Sequence, residues 1–230
     1  MTKILCADTS SQLCSVSIFS NDDLVDNVNS KIERSHSKLL LKLIDSILNK
    51  NNLSVKDLDA FSIAKGPGSY TGLRIGVSTF KGLCYSLEKP LIGINTLEIL
   101  SMSAKEKIKD TDFNLCPMID ARRMEVFTKL LNQDLEEVSE DKALILEENS
   151  FKNFKNKTIY FFGDGSYKFQ KISNHKNHNF LKNIESNSKF MGYLSYKKYL
   201  DKDFEDISLF EPFYIKDFHL VKKKKKWIRL

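Results

Sequence analysis

The hydrophobic period of this chain changes near residue 35, and that change constrains the fold more than any other feature. Before it, apolar residues come in short or alternating runs. Residues 3–8 (Lys-Ile-Leu-Cys-Ala-Asp) form an apolar run ending in a carboxylate, and Thr9-Ser10-Ser11-Gln12 is a polar turn. From Leu13 to Phe19, Cys14, Val16 and Ile18 take one face while Ser15 and Ser17 take the other. A period of two is the signature of a strand. Asn21-Asp22-Asp23 turns the chain into a third strand, Leu24 to Ser30. The three together predict an antiparallel meander.

Beyond the change, helices alternate with strands. Ser35 can cap a helix running to Lys50. A single core stripe on it would use Leu40, Leu43, Ile44 and Ile47, but Leu39, Leu41 and Leu48 widen it beyond one face. Such a helix is buried twice, by its own fold or by a partner, and the sequence leaves both open. Strands follow at Asp59 to Ala64 and Leu91 to Ile94, with helices at Thr71 to Leu87 and from Thr96. This order predicts a mixed sheet with helices on both faces, as in ribonuclease H-like folds. The second half repeats the theme weakly: strands at Asn114 to Ile119, Met124 to Leu131 and Thr158 to Phe162, and a helix over 188–200. Dense Asn and Lys between 149 and 190 predict surface loops. The expected architecture is α/β, an actin-like ATPase fold of two unequal βββαβα-type halves. Residues 1–107 form the first, 108–215 a smaller, degenerate second, and 216–230 a basic tail.

The net charge of +6 belongs to that tail. Residues 216–230 hold seven bases (Lys216, Lys222 to Lys226, Arg229) against Asp217, and the other 215 residues carry 29 of each sign. A lysine run can release counterions from phosphates, although charged termini are commonly solvated ends. No apolar run approaches the length of a membrane span, and the first residues lack a signal-peptide core, so a cytoplasmic protein is expected. Cys6, Cys14, Cys84 and Cys116 are far apart and read as buried reduced thiols. No clustered ligands suggest a metal site.

The strongest local signal is Gly66-Pro-Gly-Ser-Tyr-Thr-Gly72, which joins a strand to a helix N-terminus. Backbone N–H groups there can bind an anion. The glycine spacing, 66, 68, 72 and 76, fits neither a Walker A loop nor a dinucleotide fingerprint. Ser69 or Thr71 suits the N-cap. Gly72, Gly76, Ser78 and Gly82 form a ridge of small residues that lets another helix approach, within the fold or from a second subunit. Two strand-to-turn elements, Asp8 with Thr9-Ser10-Ser11 and Gly163-Asp164-Gly165-Ser166, are ordinary turns singly. As a pair in this order they suit phosphates across an actin-like cleft. Asp120-Ala-Arg-Arg-Met-Glu125 sets Arg122 and Arg123 in a hairpin, where either could fork onto a carboxylate or phosphate. A ribonuclease H-type nuclease is disfavoured, because the fourth strand ends in Ala64-Lys65-Gly66 without an acid. His36 reads as a capping or surface residue, and no nucleophile-elbow motif stands out.

Ala7-Asp8-Thr9-Ser10, His36-Ser37, Gly66 to Gly76 and Asp120-Ala-Arg-Arg-Met-Glu-Val126 closely resemble the TsaB (YeaZ) family. The resemblance runs in order through about residues 1–130. It implies an actin-like, non-catalytic partner of the TsaD paralogue in bacterial tRNA threonylcarbamoyladenosine synthesis, which modifies the adenosine next to the anticodon. Where the paralogue carries a metal-binding Asn-His-x-Glu-x-His, this chain reads Asn95-Thr96-Leu97-Glu98-Ile99-Leu100, with no His to hold a metal. The resemblance also implies a helix-bundle interface, here at Leu39, Leu41, Leu48, Gly72, Ile75, Gly76, Thr79, Phe80 and Gly82. It further implies a homodimer when alone, docking of the ATPase TsaE, and ATP or ADP at the heterodimer interface with no intrinsic cofactor. A vestigial nucleotide or anion site would draw on Asp8, Thr9, Ser10, Gly66, Ser69, Asp120, Arg122, Arg123, Gly163 and Gly165. Direct tRNA contact through Lys222 to Lys226 is a further hypothesis. The alternatives are a small-molecule kinase or carbamoyltransferase with its own ATP site, using Asp8, Asp120 or Asp164, and, ranked last, an RNA-binding module acting through the tail.

Overall fold

The alternating segments pair as their pattern demands. In the computed structural model, which describes residues 1–31, 36–154 and 157–216, β1 (Lys3–Asp8), β2 (Leu13–Ser20) and β3 (Asp23–Lys31) form the antiparallel meander. β4 (Ala60–Gly66) and β5 (Leu91–Asn95) join in parallel, giving the order β3-β2-β1-β4-β5. α1 (His36–Lys50) comes between β3 and β4, α2 (Tyr70–Leu87) between β4 and β5, and α3 (Thr96–Lys105) follows β5. The proposed cap Ser35 and the side chains of His36 and Ser37 lie outside the described residues.

The second half retraces the same path. β6 (Phe113–Asp120), β7 (Glu125–Asn132) and β8 (Glu137–Ile145) are antiparallel, and β9 (Thr158–Phe162) and β10 (His178–Phe180) add in parallel. The order β10-β9-β6-β7-β8 matches the first sheet. The inequality lies in the helices: α4 (Ser166–Gln170) has 5 residues where α2 has 18. The stretch 149–190 is not only loop, because α4 and β10 fall within it. His178 of β10 packs its ring 4.9 Å from Phe161, and burial, aided by nearby His175, lowers its pKa to about 4.

The chain then returns to the first sheet. A 3-10 turn, Ser188–Phe190, covers the serine face of β2: Ser17 and Ser188 share a hydrogen bond of 2.7 Å, and Ser188 N donates to Ser15 Oγ at 2.8 Å. That is why Ser15 and Ser17 are fully buried. The helix expected over 188–200 begins regularly only at α5 (Gly192–Leu200). Thus α1 and α2 cover one face of the first sheet, and α3 and α5 the other. The four cysteines are buried free thiols, and burial pushes each up to about 12.

Among the described helices, α3 carries the heaviest burial. Its Ile99 joins the core of the first sheet, while Leu97, Leu100 and Ala104 pack against Phe113, Leu115, Leu131 and Phe162 of the second. Beside it, Lys129 of β7 is 3% exposed. Its ammonium lies 3.3 Å from Glu98 of α3, and 3.0 and 3.7 Å from Glu137 and Asp141 of β8. Burial alone would lower the Lys129 pKa, but the three carboxylates outweigh it and hold the pKa above the ordinary lysine value. Asn95, the cap of α3, donates to Asp141 at 2.9 Å. Removing the cation leaves three acids facing one another. Lys129→Met should cost about 3 kcal/mol of stability in urea unfolding, since breaking a buried ion pair typically costs that much. A loss below about 1 kcal/mol would mean that this network does not hold the two sheets together.

Candidate functional site

Four turns converge between the two sheets. They follow β1, β4, β6 and β9, and they border a cleft of about 590 Å³. Ser10, Gly68, Ser69, Asp120 and Asp164 line it, with Leu13, Leu100, Ile119 and Phe127 as apolar wall. The two strand-to-turn elements and the glycine-rich loop are therefore brought to one place. Of the candidate anion-site residues, Ser10, Ser69 and Asp120 reach the cleft. Asp8 and Thr9 are fully buried and absent from its lining. Gly66, Gly163, Gly165, Arg122 and Arg123 do not line it either, and the two arginines are exposed.

Several backbone donors at these turns are engaged within the chain. Ser10 N donates to Asp8 Oδ1 at 2.8 Å, and Ser69 N to the Ser10 carbonyl at 2.7 Å. Ser69 caps α2 by accepting from Gly72 N at 3.3 Å. Across the cleft, Asp120 N donates to Asp164 Oδ1 at 2.8 Å, and Gly165 N to the Met118 carbonyl at 3.0 Å. The second oxygen of Asp8 accepts from Ser186 Oγ, which seals this carboxyl from the cleft. Burial raises the Asp8 pKa against the hydrogen bonds from Ser10 and Ser186.

The charge of the cleft opposes an anion as well. Asp120, Asp164 and Glu185 line it, with Lys31 as the one lysine or arginine among its lining residues, 3.8 Å from Glu185. The Asp164 carboxyl is crowded enough that desolvation raises its pKa, and the Asp120 charge adds to this. Desolvation pushes Asp120 up too, but Lys168 at 2.7 Å and Arg122 N at 2.6 Å outweigh it, and its pKa lies low. A phosphate would meet carboxylates and occupied N–H groups, so these residues do not fit a nucleotide phosphate. Thr96 and Leu100 line the cleft and supply no ligating nitrogen. The Thr96 hydroxyl is buried without a partner among the described residues. No group of three or more metal-ligating side chains occurs among the described residues.

The small-residue ridge of α2 faces inward over most of its length. A methyl at Gly72 would run into the Thr9 carbonyl, and one at Gly76 into the Thr9 hydroxyl. Those absences let α2 sit on the β1–β2 turn, where Thr9 Oγ1 donates to the Gly72 carbonyl at 2.8 Å. Gly72, Gly76, Phe80 and Leu48 belong to the chain's own interior, which corrects their placement on a partner face. Leu39, Leu41, Ile75, Thr79 and Gly82 remain half-buried or exposed. Tyr85, which the sequence reading missed, is 80% exposed, and Leu41 is 51% exposed. Ile75, Ser78, Gly82 and Tyr85 recur at helical spacing, so they mark one outward stripe of α2.

A family model described as "TsaD: tRNA N6-adenosine threonylcarbamoyltransferase" matches residues 25–220. The chain is 34% identical over 146 residues to the tRNA threonylcarbamoyladenosine biosynthesis protein TsaB of Bacillus subtilis (strain 168), a stretch spanning 62% of each protein. It is 27% identical over 224 residues to the TsaB of Haemophilus influenzae, spanning 93% of each. Among solved structures, YeaZ from Pseudomonas aeruginosa superposes with a TM-score of 0.81 at 20% identity, covering 93% of this chain and 100% of that one. No helix among the described residues is long and apolar enough to cross a membrane.

Two outcomes follow from the inward ridge and the engaged donors. Gly76→Ala should destabilise by about 1–3 kcal/mol through overpacking, whereas Gly82→Ala should be neutral or stabilise by up to about 1 kcal/mol in chemical denaturation. Millimolar MgATP or MgADP should leave the melting temperature of the isolated chain unchanged, and an upward shift would mean that the cleft binds nucleotide after all.

Proposed function

This chain belongs to the tRNA N6-adenosine threonylcarbamoyltransferase family, on its TsaB (YeaZ) side, and we propose that it is a non-catalytic partner subunit for the synthesis of threonylcarbamoyladenosine in tRNA. The observation that carries this reading is the contrast between its two candidate surfaces. At the cleft, the N–H groups of Ser10, Ser69, Asp120 and Gly165 are engaged and Asp8 is sealed. The outward face of α1 and α2 leaves Leu41 and Tyr85 uncovered beside Leu39, Ile75 and the open Gly82. A second pair of helices laid on that face would bury the uncovered apolar groups, and Gly82, with nothing within 4 Å of its Cβ position, admits close approach.

The partner proposed is the catalytic TsaD paralogue. In its absence, a second copy of this chain would bury the same patch about a two-fold axis. The TsaE ATPase would dock on the assembly, and tRNA would be reached through it. Any nucleotide held by the assembly lies outside this cleft in our reading. The rival kinase or carbamoyltransferase would need an open catalytic acid. Asp8, its first candidate, is capped by Ser186 and drawn toward its protonated form by burial.

Light scattering after size exclusion tests this reading. The chain alone should run as a dimer and convert to a one-to-one complex when mixed with the paralogue. Leu41→Asp and Gly82→Asp should each abolish both species while leaving the far-ultraviolet circular dichroism unchanged. A monomer indifferent to the paralogue would end the partner-subunit reading.

A further inference from the structure

We propose that the strap after α5, residues 201–216, extends the partner face with a groove that takes a basic segment of the partner subunit, a proposal that rests on the partner-subunit reading above. The first observation is where the strap lies. In the order β3-β2-β1-β4-β5, β5 is an edge. Helix α1 lies over β2, and α2 over β4. The strap takes the next place. Glu205 N donates to the Leu91 carbonyl of β5 at 2.8 Å, and Lys81 of α2 donates to the Phe210 carbonyl at 2.7 Å. Lys81 sits three residues after Ser78 and four before Tyr85, so it borders the outward stripe of α2. A partner seated on α1 and α2 therefore meets the strap at the margin of its footprint.

The second observation is that the strap is fastened along its length. Phe213 N donates to the Lys65 carbonyl at 2.7 Å, and the Tyr214 ring lies 5.1 Å from that of Tyr70. These anchors leave a groove of about 460 Å³ lined by Leu209, Phe210, Phe213 and Tyr214. Leu209 is 77% exposed and Phe213 36%. Apolar groups uncovered on a backbone already held in place lose little freedom on binding.

The third observation is the chemistry of the rim. Glu205, Asp206 and Glu211 line the groove, and the one base among its lining residues, Lys65, lies 3.2 Å from Glu205. The Lys81 ammonium beside it is turned to the Phe210 carbonyl. Asp206 and Glu211 have no ion pair among the described residues. Hydrogen bonds from the Ser208 hydroxyl and N–H hold the Asp206 pKa below its ordinary value, so this carboxylate is charged at neutral pH. The Tyr214 hydroxyl is buried with no hydrogen-bond partner among the described residues. Lysine and arginine answer all three features. Their aliphatic stems pack on Leu and Phe, their heads meet carboxylates, and their N–H groups can donate to a hydroxyl oxygen.

Photo-cross-linking and calorimetry test this on the full chain with the purified paralogue. p-Benzoylphenylalanine at Leu209 should link to the paralogue, and mass spectrometry should place the link on a net basic segment. Leu209→Lys with Glu211→Lys should weaken binding about tenfold, with a smaller loss at high salt. Both positions are exposed, so the far-ultraviolet circular dichroism of this double variant should not change. Glu211→Asp, which keeps the charge, should stay within about threefold of the natural chain.

Unchanged affinity in the double variant would overturn the proposal. So would the absence of a link, or a link to a net acidic segment, to a second copy of this chain or within one chain. Leu41→Asp separates this failure from that of the partner reading. A natural chain that binds the paralogue, loses it through Leu41→Asp and is indifferent to the double variant condemns the groove alone. A natural chain that does not bind the paralogue condemns the partner reading, and the groove with it.

Discussion

Everything in this molecule hangs on α3, a helix buried from both sides. Most of its residues are inaccessible, including Thr96, Ser101 and Ser103. Its apolar side chains divide between the two sheets, so neither core is complete without it. Lys129, held by Glu98, Glu137 and Asp141, adds charge to the same junction. An ion buried this way is weak evidence for net stability against an apolar replacement, but it specifies one mutual placement of the elements that carry it. Since α3 begins at the floor of the cleft, its double burial also fixes the distance between the facing turns.

That rigidity holds the turns of the cleft in place. The turns after β1 and β6 face each other across the cleft, as two-fold repetition of the strand order requires. Yet Ser10, Ser69, Asp120 and Gly165 direct their N–H groups into the chain itself. A donor satisfied internally is pre-organised for nothing else, and displacing it leaves a buried polar group unpaired. In the proposed reading, function lies outward, on the α1–α2 face.

Much of this fold was legible in the sequence because the first half obeys simple periods. β2 alternates, the loop before α2 is dense in turn formers, and Ser69 caps as expected. Legibility ended where one pattern served two causes. Gly72 and Gly82 look alike along the chain, but the first accommodates the Thr9 carbonyl and the second faces open space. Leu48 widens the apolar face of α1, yet it lies in the core. β8 escaped notice because, as an edge strand rich in Glu, Asp and Lys, it buries little apolar surface. β10 is three residues long, below any period. The Lys129 cluster and the Ser186 cap on Asp8 join residues far apart in sequence, and no local signal announces them.

The central claim is that the outer helices, and not the cleft, are the working surface. Hydrogen–deuterium exchange of the full chain, with and without the paralogue, tests it most directly. The account predicts protection gained along α1 and α2, with the turns at 9–12, 66–69 and 163–166 unchanged, in the presence or absence of MgATP. Protection gained at those turns, with α1 and α2 unaltered, would contradict it and return the cleft to the centre of the function.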